Sequence, residues 1–302
     1  MRGRPLCLVS SPRFVYPHGV MFFELPSGMR IAADAYGDPS ARPVLFLHGG
    51  GQTRHAWAGS AEAVARAGFR AITMDHRGHG DSAWAPSGAY AVEDFAEDLL
   101  GVIASLGRAP VAVGASLGGF TALYAGARQP GALSGLVLVD VTPRLEISGV
   151  RRIVGFMKAR PEGFASLDEA ADAVATYLPH RPRPKDLAGL QKNLRQGADG
   201  RLRWHWDPAL MRQWDVRRTP EDAERTVTER LDEARALAVP TLLVRGRASD
   251  VVSEQGAREF LAVVPHAEYV DLAAAGHMVA GDRNDAFTES VLEFLARRLP
   301  PG

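Results

Sequence analysis

The chain has a single cysteine, Cys7, so it can form neither an intrachain disulfide nor a cysteine-based metal site. Lysine is also scarce, occurring only at 158, 185 and 192, and arginine carries nearly all the positive charge. Neither sign dominates: Lys+Arg and Asp+Glu are 35 each, so no global field draws the protein to nucleic acid or to an anionic membrane. No stretch approaches the roughly 20 consecutive apolar residues of a membrane span. The N-terminal patch Leu6 to Val9 is shorter than the roughly 7–15 residues of a signal-peptide core. Residues 1–19 therefore read as an N-terminal extension, and a cytoplasmic location is expected.

What is present is an alternation of short apolar runs with helical periodicity. At 302 residues, 46% hydrophobic and 23% charged, the chain fits one large α/β domain or a core carrying an insertion. Val20 to Leu25 and Met29 to Tyr36 read as strands joined at Pro26-Ser27-Gly28. Strands are then expected at Pro43 to Leu47, Arg70 to Met74, Val111 to Gly114, Leu136 to Val139, Thr241 to Val244 and Glu268 to Leu272. Helices fall between them at Trp57 to Ala67, Val92 to Leu106, Leu117 to Arg128, Glu254 to Val263 and Asp285 to Leu299. Near-continuous apolar strands alternating with helices imply a mostly parallel sheet covered on both faces. From Val141 to Val239 the alternation stops, and only helices and loops are expected. The domain reading is a core of residues 20–140 and 240–302 with a helical cap at 141–239.

Four features fall at strand ends. Gly114-Ala115-Ser116-Leu117-Gly118 frames a serine with glycines between a strand and a helix, the pattern of a nucleophile elbow. Leu117 offers the backbone N–H beside it, at the positive end of a helix. His48-Gly49-Gly50-Gly51 follows the strand ending at Leu47, and its glycines let an amide turn inward, which assigns the second oxyanion donor to Gly50. Asp250 and His277 follow the strands Thr241 to Val244 and Glu268 to Leu272. A serine hydroxyl needs a neutral imidazole to take its proton, and the imidazole needs a carboxylate to fix its tautomer. The chain order Ser, Asp, His is that of one known triad architecture.

These residues, with Asp75-His76-Arg77-Gly78-His79-Gly80-Asp81-Ser82, Arg247 to Val252 and Gly276-His277, resemble the α/β-hydrolase family from Val20 to Leu299. The resemblance implies an α/β-hydrolase core, a cap after the sixth strand, Ser116 as nucleophile, His277 as general base and acid, and Asp250 as the orienting carboxylate. Some members take the acid from the end of the sixth strand, which makes Asp140 the alternative. His48, His76 and His79 sit in turn motifs and are expected to be structural. The Asp75 to Asp81 stretch, which could suggest metal ligands, is explained by the resemblance as a structural loop. No metal and no cofactor is expected.

The expected activity is hydrolysis of a carboxylic ester or lactone through an acyl-enzyme. Carbon–carbon or amide hydrolysis, acyl transfer and perhydrolysis use the same triad, and a ligand-binding protein that retains the fold is the alternative from another class. The pocket is expected to involve Gly49 and the cap tryptophans Trp204, Trp206 and Trp214, with Phe156, Met157, Phe164 and Tyr177, although the cap aromatics could instead form the cap's own core. The expected partner is a small-molecule ester or lactone, with no nucleic acid and no membrane; a homodimer is left open.

Overall fold

The computed structural model describes residues 19–213, 219–273, 275–279 and 284–301. Most of the proposed N-terminal extension and Trp214 lie outside the described residues. An eight-stranded sheet runs in the order β1-β2-β4-β3-β5-β6-β9-β10. Its strands are β1 (Met21–Glu24), β2 (Arg30–Tyr36), β3 (Pro43–Leu47), β4 (Arg70–Met74), β5 (Val111–Ala115), β6 (Gly135–Val139), β9 (Thr241–Gly246) and β10 (Glu268–Leu272). The first two pairings are antiparallel, β1 with β2 and β2 with β4; every other pairing is parallel.

The strands are apolar throughout because both sheet faces are buried. On one face Leu45, Leu47, Ala112, Leu136 and Leu138 pack beneath α2 (Val92–Leu106) and α3 (Leu117–Arg128). On the other, Val44, Phe46, Val111, Val113 and Val137 meet α1 (Ala58–Arg66) and the last helix, α10 (Asn284–Arg298). This two-residue alternation follows from the strand pleat. Helix α2 shows how local chemistry sets the ends. Asp94 accepts the Ala91 N–H at 2.7 Å, and Gly107 closes the other end at φ 68°, where a side chain would be strained.

Between β6 and β9 lie α4 (Ile147–Lys158), α5 (Leu167–Tyr177), α6 (Ala188–Gln191), β7 (Leu194–Gln196), β8 (Leu202–Trp204), α7 (Leu210–Gln213) and α8 (Pro220–Ala234). The expectation of helices and loops alone is corrected here, because β7 and β8 form a small antiparallel hairpin. Each strand is three residues long and only partly buried, too short to show alternation in the sequence. The segment docks on the core through backbone: Gly80 N–H donates to the His205 carbonyl at 2.8 Å, and Asp207 N–H to the Gly78 carbonyl at 2.7 Å. Helix α9 (Glu254–Val263) follows β9. No helix among the described residues is long and apolar enough to cross a membrane.

The chain runs from β3 to β4 on one side of the sheet, then crosses to β5 on the other. The loops after β3 and β5 therefore part from each other and open a crevice at the C-terminal edge, the place where open α/β sheets hold ligands. His48 to Gly51 and Ser116 lie on those two loops.

Candidate active site

Ser116 sits between β5 and α3 with φ 48° and ψ −113°, a strained conformation for a residue with a side chain. The flanking glycines make this turn fit. A Cβ on Gly114 would lie 2.4 Å from the Gly118 carbonyl oxygen, and one on Gly118 would lie 2.3 Å from that of Leu47. The glycines thus clear backbone packing between β5, α3 and β3 more than space around the hydroxyl. Leu117 N–H is the first amide of α3, which an α-helix cannot satisfy internally.

The glycine loop after β3 singles out one amide. Gly49 N–H donates to Gln52 Oε1 at 3.0 Å and Gly51 N–H donates to His79 Nε2 at 3.2 Å. Gly50 N–H has no hydrogen-bond acceptor among the described residues. Gly49 also lines the cavity beside Ser116, where a Cβ on it would lie 3.5 Å from the Ser116 Cβ.

Three buried histidines brace this loop. His48 Nδ1–H donates to the Gly49 carbonyl at 2.8 Å while Nε2 accepts the His76 N–H at 3.0 Å. His79 Nδ1–H donates to the Arg77 carbonyl at 3.0 Å while Nε2 accepts the Gly51 N–H. The His48 and His79 rings thus each use one nitrogen as donor and the other as acceptor, as only the neutral form can. Burial pushes His48 down to about 4 and His79 down to about 3, and holds His76 well below the usual histidine range. Beside them Asp75 accepts from the Arg54 backbone N–H at 2.6 Å, from its guanidinium, and from the Asp81 N–H at 3.0 Å. Arg77 pairs with Asp98 through two bonds of 2.6 and 2.7 Å.

His277 is placed against Asp140, not Asp250. Its Nδ1 donates to Asp140 Oδ2 at 2.7 Å, with Asp140 fully buried and the His277 side chain 9% exposed. A carboxylate only accepts, so Nδ1 carries the proton and Nε2 is the basic atom. Asp140 directly follows β6 at φ 48°, and it and Ser116 are two of the three non-glycine residues with positive φ among the described residues. Its carboxylate also accepts Gly246 N–H at 2.9 Å on Oδ1 and Ser249 Oγ–H at 2.6 Å on Oδ2. Ser116 and His277 line one cavity of about 820 Å³, together with Gly50 and Leu117.

The expectation that Asp250 orients His277 is therefore corrected. The Asp250 carboxylate is 39% exposed and pairs with Arg152 of α4 at 2.9 Å. Its loop reaches the histidine's acid through Ser249 instead. Ser249 Oγ also accepts the N–H groups of Val251 and Val252, both at 3.1 Å, which fixes the hydroxyl toward Asp140. Sequence reasoning missed Ser249 and Gln52. Ser249 lies in the Arg247 to Val252 stretch, where attention fell on its neighbour Asp250, and Gln52 directly follows the glycine loop; only proximity in space marks their contacts.

The comparison with known proteins identifies the family. A sequence model of the alpha/beta hydrolase fold matches residues 42–283. The chain belongs to the α/β-hydrolase family. This hydrolase is 34% identical over 267 residues to an esterase of Mycobacterium tuberculosis, covering 86% of this chain and 84% of that one. A crystal structure of the M. tuberculosis esterase superposes with a TM-score of 0.74 at 30% identity, covering 93% of each chain. An sn-1-specific diacylglycerol lipase of Mus musculus is 28% identical over 86% of this chain and 83% of its own.

The tryptophans of the β6–β9 segment are placed differently from the pocket expectation. Trp204 and Trp206 stack at 5.2 Å and 8°, and Trp204 meets Phe164 edge-on at 5.1 Å. Trp206 packs with Leu117 and Met157. Neither is among the residues lining the cavity; Trp204 packs within the segment, and Trp206 packs the segment onto the core. Of the other aromatic and apolar candidates, Phe156 and Met157 of α4 and Tyr177 of α5 do line the cavity, with further residues of α4 and α8, whereas Phe164 is not among the lining residues.

Proposed function

We propose that this hydrolase cleaves a carboxylic ester or lactone through an acyl-enzyme on Ser116, with His277 as base and acid and Asp140 as the orienting carboxylate. Ser116 Oγ attacks the carbonyl carbon as His277 Nε2 takes its proton. The Gly50 and Leu117 amides hold the resulting oxyanion, helped by the positive end of α3. Collapse breaks the carbon–oxygen bond, and the imidazolium gives its proton to the leaving alcohol; in a lactone that alcohol stays tethered to the acyl group. His277 then deprotonates a water, which attacks the ester carbonyl and returns Ser116 to its free form. The β6–β9 segment acts as a cap over the site.

The single observation that carries this reading is the 2.7 Å His277–Asp140 hydrogen bond opening on the cavity that also holds strained Ser116. Relatives named as an esterase and a lipase support the ester bond as the target. The test is hydrolysis of a p-nitrophenyl ester by wild type and Ser116→Ala. Wild-type turnover lost by roughly 10³-fold or more in the variant is expected. Equal rates in both would overturn the reading.

A further inference from the structure

The cavity above Ser116 has two chemically different sides. One is a groove between α4 and α8, walled by Val150, Ile153 and Val154 from α4 and Val227 from α8, over Phe120. Helix α8 packs on α3 and α9, while α4 packs on α7, so the two walls are held from opposite sides. The α4 wall is further tied to the core where Glu146 N–H donates to the Val251 carbonyl at 2.8 Å. Exposed Glu93 and Glu229 mark where the cavity meets solvent; Glu233 and Arg230 line it beside them, with the Arg230 guanidinium 4.4 Å over the Phe120 ring, so this end carries both signs of charge.

The other side is polar and belongs to the histidine loop. Gln52 Nε2 donates to Met278 Sδ at 3.4 Å, and Arg181 Nη2 donates to the Met278 carbonyl at 3.1 Å. Met278 adjoins His277, so Gln52 and Arg181 line the cavity on the side of the general acid.

Because His277 must protonate the leaving alcohol, that group lies on the Gln52 and Arg181 side. The acyl group stays on Ser116 through both half-reactions and has the apolar groove available to it. We propose that the acyl half of the substrate is an aliphatic chain of medium length held between α4 and α8. This rests on the ester-hydrolase reading. A cavity of about 820 Å³ is near the upper end of small-molecule sites, more than an acetyl or propionyl group fills.

The test is a series of p-nitrophenyl esters from acetate to octanoate, with Ser116→Ala as the control. For wild type, kcat/KM rises about threefold per added methylene until the groove is filled. Val150→Trp and Val227→Trp, on opposite walls, each lower the octanoate-to-acetate ratio of kcat/KM by at least about tenfold. Two variants guard against one misfolding, and the ratio cancels any loss of active protein. A flat or falling chain-length profile with Ser116-dependent acetate hydrolysis overturns this inference alone, as do wall variants whose ratios match wild type. Absence of Ser116-dependent hydrolysis for every ester overturns the ester reading and this inference with it.

Discussion

Asp140 and His277, 137 residues apart in sequence, meet through a 2.7 Å hydrogen bond in which the carboxylate is fully buried. The partnership depends on backbone geometry at the end of β6. Asp140 takes φ 48°, and its own N–H donates to the Val244 carbonyl at 2.7 Å, which holds the residue against β9. From there the carboxylate faces the histidine loop. Asp250 is displaced to the surface, where it joins α4 to the core through Arg152.

Ser249 holds the acid in place. Ser249→Ala removes the 2.6 Å donor from Asp140 Oδ2 and leaves the Val251 and Val252 amides without their acceptor. Hydrogen bonds to charged groups contribute about 1.5–3 kcal/mol, so kcat is expected to fall about tenfold or more. KM should change little, because Ser249 is not among the residues lining the cavity. Ser249→Thr, which keeps the hydroxyl, should restore most of the rate. Steady-state kinetics on one p-nitrophenyl ester would check this, and an unchanged kcat for Ser249→Ala would refute it.

Most of the architecture was legible in the sequence because buried parallel strands must be apolar and their helices must carry a periodic stripe. The expected strands at Pro43, Arg70, Val111, Leu136, Thr241 and Glu268 begin where β3, β4, β5, β9 and β10 do, and within one residue of β6. The Ser116 turn and the His48 glycine loop were legible because glycine spacing leaves a local signature. The choice between Asp140 and Asp250 was not. Both follow strands, and what separates them is the direction of a side chain after a turn, set by contacts between distant segments. A Cβ on Gly246, for example, would lie 2.3 Å from the Gly276 carbonyl oxygen, so the loops after β9 and β10 pack backbone to backbone. The roles of Trp204 and Trp206 were hidden for the same reason, since aromatic residues serve a pocket wall or a packing core equally well.

The buried histidines predict acid sensitivity. His48, His76 and His79 are neutral in the fold, with pKa values pushed below the unfolded value of about 6.5. Below pH 6.5 the unfolded chain binds protons that the native state does not, so stability falls as pH falls from about 6.5 toward 4 and is fully present above that window. Each histidine contributes up to about 1.4 kcal/mol per pH unit to this slope. His76 offers a clean probe, since its buried Nε2 has no hydrogen-bond partner and its ring meets Phe95 edge-on at 5.5 Å. Urea denaturation of His76→Phe at pH 7 and pH 5 should show a smaller stability loss than wild type. An equal or larger loss would remove His76 from the account.

The central assignment is most directly tested by p-nitrophenyl ester hydrolysis with Asp140→Asn and Asp250→Asn compared side by side. An amide at the position that fixes the histidine tautomer is expected to cost roughly 10⁴-fold, as it does in a serine protease. Asp140→Asn should show a loss of that order. Asp250→Asn breaks only a half-exposed ion pair, generally worth no more than about 1 kcal/mol, and should stay within about tenfold of wild type. The reverse result, with Asp250→Asn inactive and Asp140→Asn near wild type, would contradict the account.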